Sequence, residues 1–342
     1  MSCELKQNRL AVLTYQHRKV PHRPTGTHLR SDSPRSGHYS EALRRHPVRQ
    51  PQNPDCLTGQ NRLRLRLAGF LLRKSLLLVF AGVKPMPDFR AFCSPATAEP
   101  VELTLSPEES HHLVVVNRAR PGDTVVAFDG RGTEWICELT ADRKQGAILK
   151  VRFKQKIQPL PYEITLGQAL PMGQFMDAIV RKATEIGAAR IAPLESERTQ
   201  VHLEGDRSEK KIGKWQSAAL EAAKQCGNAF LPEVLPVQKA AAFIENARGY
   251  DLKLIASLQP GAKSLKTVLA AFQAAQGRAP RKVLWLIGPE GDFTPAELSQ
   301  ARSCGFEPIT LGPLVLRCET AAAYALSILS YELQSFDSDK TP

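Results

Sequence analysis

Two glycine-proline corners hold the residues best placed for chemistry. Gly288-Pro289-Glu290-Gly291 closes the apolar run "KVLWLI" and comes just before Thr294-Pro295-Ala296-Glu297. That second tetrad is a capping box with Pro at the first helical position, so the corner turns a strand into a helix. Ligands of open parallel sheets bind beyond the carboxyl ends of strands, where glycines let them approach the backbone closely. The segment "ITLGPLVLRCETAAAYAL" (309–326) repeats the arrangement: a short strand, Gly312-Pro313, an extended apolar loop, then Arg317, Glu319 and Thr320 at a helix start. Two such corners, each with a Glu near a helix start, should face one crevice. Neither has the Lys-Ser/Thr of a phosphate loop or the G-x-G-x-x-G of a dinucleotide fold, which disfavours a nucleoside triphosphate or NAD. The pattern implies a ligand held by backbone groups and apolar walls.

The elements that must position these corners alternate between strand and helix. "EITLGQAL" is followed by a helix from about 174, with Phe175, Met176, Ile179, Val180, Ala183 and Ile186 on one face and Gly187 as a stop. "RIAPL", a long helix from about Ser208 to Cys226, helices near 238 and 264 around "LKLIAS", then "KVLWLIG", a helix from 295, "PITLG" and a last helix over 321–335 complete the series. Such alternation predicts a mostly parallel sheet covered on both faces, over 163–336. Residues 86–157 read differently, as short β-prone runs with an Asp129-Gly130 hairpin signal and one short helix starting at Ser106. The Pro-rich "IQPLPY" (157–162) is the expected linker.

The 342 residues are 42% hydrophobic and 23% charged, as in globular proteins, with a net charge of +12. All of that excess lies in residues 1–85, with 16 Lys or Arg against 4 Asp or Glu, which leaves 30 of each sign in the remainder. That leader lacks apolar periodicity and is expected to be disordered. It reads as upstream sequence translated ahead of Met86; a targeting peptide and an RNA-gripping basic arm are the alternatives. Its greasy segment is broken by Arg73-Lys74 into pieces too short to span a bilayer, so no membrane helix is expected. Seven cysteines without a CxxC pair, and only His111, His112 and His202 beyond the leader, indicate neither a disulfide framework nor a metal site. A cytoplasmic location fits them.

"LIGPEGDF", "LGPLVLRCETA", "VRKATEIGAARIAPLESER" and "KWQSAALEAAKQCG" followed by "LPEV" resemble the family of small-subunit (16S) ribosomal RNA uridine-N3 methyltransferases, of the SPOUT class. The resemblance covers about 86–335. It implies a PUA-like N-terminal β-barrel for RNA and a C-terminal α/β domain with a deep trefoil knot. It further implies S-adenosylmethionine bound in a bent form, and a homodimer that completes the active site. By position, Leu258, Gly288, Glu290, Gly291, Leu311, Gly312, Leu316 and Thr320 would surround the cofactor. Ser196-Glu197-Arg198 and Arg317 would lie near the target uridine.

Methylation at N3 of uracil removes the proton of a weakly acidic imide, so positioning and a nearby cation carry most of the task. Arg317 is the candidate cation, with a cap or pair beside Glu319 as its plain structural alternative. Glu319 fits a helix cap better than a base, and Glu290 fits either. N3 lies on the Watson–Crick edge, so the target base must be unpaired or flipped. Arg90, Arg118, Arg120, Lys210, Lys211 and Lys214 could track the RNA backbone, the three lysines equally well forming a solvated helix face. Asn228, Asp292, Cys318, Met172 and Phe175 depart from the family pattern, mostly by loss of positive charge. A methyltransferase of the same class acting on another base, and an RNA-binding protein with an inactive pocket, are the competing readings.

Overall fold

The computed structural model describes residues 89–338 except Ala98. The expectations for the leader lie outside the described residues. Strands β1 (Phe89–Phe92), β2 (Glu102–Thr104), β3 (Thr124–Phe128), β4 (Thr133–Ala141) and β5 (Ile148–Lys156) form one five-stranded sheet of order β1-β3-β4-β5-β2. It is antiparallel but for the parallel β1–β3 pair. β1 and β2 stand at the two ends of that order. Alternate residues of β3, β4 and β5, among them Val125, Trp135, Leu139 and Leu149, share a core with Leu113, the pattern of a sheet with one buried face.

The short helix α1 (Pro107–His111) starts where its sequence predicts, and the Ser106 hydroxyl accepts the Glu109 N–H at 3.2 Å. Glu109 leaves the reciprocal capping bond unmade. Its carboxylate instead accepts the Phe92 N–H at 2.9 Å and the Lys224 ammonium at 2.8 Å.

β6 (Glu163–Ala169), β7 (Arg190–Glu195), β8 (Glu233–Val234), β10 (Leu252–Ala256), β11 (Lys282–Ile287) and β12 (Glu307–Ile309) form the second sheet, of order β12-β10-β11-β6-β7-β8, with β9 (Gln238–Lys239) also on β7. Every pairing is parallel. Its strands are near-continuous apolar runs because both faces are covered. Val283, Trp285 and Ile287 of β11 pack among α2 (Phe175–Ile186), α3 (Gly205–Cys226), α5 (Leu265–Gln276) and α7 (Cys318–Ser338). Leu284 and Leu286 face α4 (Ala240–Glu245) and α6 (Pro295–Ser303).

The β3–β4 hairpin docks on the residues that follow α3. Gly132 N–H donates to Ala229 C=O at 3.0 Å and Leu231 N–H to Gly130 C=O at 2.9 Å. A Cβ on Gly132 would stand 2.4 Å from the Phe230 ring, so only glycine fits. Arg90 is at this junction, 7% exposed. Its guanidinium pairs with Glu134 at 2.9 Å and lies 4.8 Å from the centre of the Phe128 ring. That corrects its expected role as an RNA-facing cation: the side chain is spent on a buried ion pair. Among the described residues no helix is long and apolar enough to cross a membrane, and no group of three or more His, Cys, Asp or Glu could hold a metal.

Candidate active site

Three neighbouring strands, β12, β10 and β11, end at one cleft of about 550 Å³. Ala256, Ser257 and Leu258 form its wall at the end of β10, Ile287 to Glu290 at the end of β11, and Leu311 with Leu314 to Glu319 after β12. Met172 in the β6–α2 loop and Phe175 at the start of α2 close it.

The first corner is rigid for reasons legible in its atoms. Asp292 N–H donates to Pro289 C=O at 3.0 Å, and Asp292 has φ 58°, a left-handed conformation that Asp tolerates better than most residues. A Cβ on Gly288 would meet Asp292 Oδ1 at 3.0 Å and its Cα at 3.2 Å. Glu290 accepts the Met172 N–H at 2.9 Å, which ties the β6–α2 loop to the corner. Arg198 donates to Gly291 C=O at 2.7 Å from outside. The capping box that launches α6 is complete, with Thr294 and Glu297 exchanging bonds. Glu297 also accepts the Glu197 N–H at 3.0 Å, which fixes the loop after β7.

In the second corner Gly312 N–H donates to Thr310 Oγ1 at 3.1 Å. Leu314 and Val315 beyond it are 72% and 81% exposed. Arg317 C=O then accepts the Ala321 N–H at 2.8 Å as α7 begins. One guanidinium, Arg317, and three carboxylates, Glu290, Asp292 and Glu319, line the cleft. Burial pushes Asp292 above the ordinary carboxylate value. Burial first, then the carboxylates of Glu290 and Glu319, push the Cys318 thiol up to about 12. The thiol therefore stays protonated near neutrality and is no nucleophile.

Leu258, Gly288, Glu290, Leu311, Leu316, Arg317 and Glu319 are thus brought to one crevice. Gly291, Gly312 and Thr320 belong to the same corners and helix start without lining it, and Arg198 braces the first corner from behind. Arg118 and Arg120 are exposed in the β-domain, and Lys210 and Lys214 on α3, with Lys211 half-buried. Lys214 pairs with Asp177 of α2. Sequence reasoning missed the Ala256-Ser257 wall, Leu314, Val315 and the cleft-facing side of Asp292. It also placed Phe175 on the buried face of α2, whereas Phe175 is 41% exposed and lines the cleft. The first turn of a helix can face a ligand instead of the core, and periodicity alone does not tell the two apart. The β10 wall had a signal, since the ends of adjacent parallel strands share one crevice.

The chain matches the RNA methyltransferase domain family over residues 158–330 and the RNA methyltransferase PUA domain family over 105–152. It is 30% identical to ribosomal RNA small subunit methyltransferase E of Bacillus subtilis, over 69% of this chain and 93% of that one. With the protein of the same name from Synechocystis it shares 31% identity over 72% of this chain and 78% of the other. Among solved structures, a Legionella pneumophila protein in complex with the bound cofactor SAM superposes with TM-score 0.64 and 32% identity, over 73% of this chain and 98% of that one. The small subunit methyltransferase E of Neisseria gonorrhoeae bound to S-adenosyl methionine gives TM-score 0.63 and 28% identity, over 72% and 98% of the two chains.

Proposed function

The chain belongs to the ribosomal RNA small subunit methyltransferase E family, and from that premise we propose that it methylates N3 of a uridine in small-subunit ribosomal RNA, using S-adenosylmethionine. The observation that carries the reading is the meeting of both glycine corners at the carboxyl ends of β10, β11 and β12, with Arg317 at the rim. The cleft suits the cofactor in size, since ligand pockets run about 300–1,000 Å³. Leu258, Leu311, Leu316 and Ala321 offer apolar walls for an adenosyl group. The residues that would hold it are those of the three strand ends, including Gly288 and Glu290. When bound, it supplies an electrophilic methyl on a sulfonium.

This chain's own residues do the rest. Arg317 stabilises the negative charge that develops on the uracil oxygens as N3 gives up its proton. Glu319, one residue from the start of α7, is the cleft carboxylate we assign to receive that proton, with a helix cap as its structural alternative. Arg198 holds the first corner in place through Gly291 and so acts as a positioning residue. The corners set the alignment on which such a reaction mainly depends.

We extend the reading to a homodimer acting in the cytoplasm, with a trefoil threading of the second corner. The β-domain, which we place at 86–157, docks at the amino-terminal edge of the parallel sheet, where Glu233 pairs with Arg190 at the start of β7. The cleft lies at the carboxyl edge of the methyltransferase domain, which we place at 163–336. RNA gripped by one chain's β-domain is therefore better placed for a partner's cleft. Exposed Leu258, Leu314 and Val315 at the rim give a partner apolar surface to cover. Calorimetric titration with S-adenosylmethionine tests the reading: a single saturable site is expected, and no heat at any concentration would remove it. Arg317→Ala should keep that heat and lose transfer.

A further inference from the structure

The turn into β5 and β5 itself carry a charge pattern that the methyl-transfer cleft does not use. Residues 142–156 hold six cations, Arg143, Lys144, Lys150, Arg152, Lys154 and Lys156, against one acid, Asp142. In their midst Phe153 is 59% exposed, on a strand whose other large apolar residues are at least partly buried. One exposed aromatic is ordinary on its own; its place among cations on one sheet face is what matches a nucleic-acid contact.

Register explains the arrangement. Phe153 stands opposite Ile136 and Lys150 opposite Glu138, while a bulge between the Ile136 and Cys137 pairs makes Arg152 the extra residue. Residues two apart on β4 share a face, so Phe153 and Lys150 point the same way. Arg152 turns its guanidinium to Glu138 as well, with Nε 3.2 Å from the carboxylate. The bulge thus brings a second cation to the side of the sheet that carries Phe153. Lys156 is engaged with Thr133 Oγ1 at 3.1 Å, and Lys154 with Glu99. Arg143 and Lys144 stay exposed in the turn.

We propose that this face is a platform for single-stranded RNA, on which Phe153 stacks an unpaired base while Lys150, Arg152 and the Arg143-Lys144 turn hold flanking phosphates. Aromatic residues interleaved with cations are what single-strand binders use, because every base has a stackable face and every nucleotide a phosphate. The excess of cations favours a polyanion over a second copy of this chain or another protein. The inference rests on the reading of the chain as a ribosomal RNA enzyme. It adds the surface that grips nucleotides beside the target, separate from the Arg118-Arg120 loop and the α3 lysines.

The test is fluorescence anisotropy of a labelled short oligouridylate with the full chain, alongside calorimetry with S-adenosylmethionine. Phe153→Ala and Phe153→Leu should each weaken RNA binding about 5- to 100-fold, and Phe153→Tyr should bind near the parent affinity. Lys150→Ala with Arg152→Ala should lower the slope of log affinity against log salt by about one unit. All four proteins should bind S-adenosylmethionine as the parent does, with unchanged melting. Parent-like RNA binding by Phe153→Ala or Phe153→Leu, or no binding by the parent itself, would overturn the proposal. So would Phe153→Ala that shifts the sedimentation mass while RNA affinity holds, since the face would then be a protein contact. Loss of cofactor heat in the parent with Phe153-dependent RNA binding intact would remove the enzyme reading and leave the platform standing.

Discussion

Gly288 has so little space that a single methyl group is informative. A Cβ there meets both the carboxylate and the Cα of Asp292, and the latter is backbone that cannot swing aside. Gly288→Ala should therefore weaken S-adenosylmethionine binding by at least about tenfold, which is ~1.4 kcal/mol, as read by calorimetry. In the proposed reaction Arg317 acts at a different step. Removing one charge-stabilising group typically costs about 10²–10³ in turnover, so Arg317→Ala should lose that much in kcat with cofactor affinity unchanged. Lysine at 317 should restore only part, because it lacks the planar fork that spans two oxygens. The Cys318 thiol, pushed up to about 12, gives no limb to the pH–rate profile, and Cys318→Ala should leave that profile unaltered. At this scale much of the cleft was legible, since corner chemistry depends on residue type and local spacing. Arg90 was not, because its partner Glu134 is 44 residues away and only the folded sheet brings them together.

Among the elements, two ion pairs hold joints. Lys224 of α3 and Glu109 of α1, each about nine-tenths buried, tie the two sheets' domains together. Lys224→Ala leaves a buried carboxylate uncompensated and should cost about 3–5 kcal/mol by denaturant unfolding. Replacing both partners, as Lys224→Met with Glu109→Gln, should recover much of that. Asp251, just ahead of β10, accepts from the Arg278 guanidinium and from the N–H groups of Arg281 and Lys282. The Arg278 contact, against opposing burial and with help from those N–H groups, holds its carboxyl well below the ordinary range. A depressed carboxylate contributes stability that is present above its unfolded value near 4 and is lost as pH falls through the folded value. Asp251→Asn should thus lower stability at neutral pH by about 1–3 kcal/mol and flatten the acid limb of a melting-temperature profile. Element types and order were readable because α2, α3 and α6 carry their own stop or start signals in Gly187, Gly227 and Thr294-Pro295. The joint between Glu109 and Lys224 was not, since Glu109 left its capping role for an ion pair that no local pattern encodes.

For the whole molecule, the division of labour follows from where the sheets sit. In the proposed reading, RNA grip falls to the β-domain at the amino edge of the parallel sheet, and methyl transfer to the cleft at its carboxyl edge. Net charge alone would have misled, because the excess of +12 sits entirely in residues 1–85. The local run at 142–156 is the better guide to an RNA contact in the described chain. Nucleoside mapping of ribosomal RNA, after incubating small subunits with the purified chain and methyl-labelled S-adenosylmethionine, tests the central claim most directly. N3-methyluridine at a single small-subunit position, absent with Arg317→Ala, is the expected result. Label on another base, on large-subunit RNA alone, or on no nucleoside at all would contradict it.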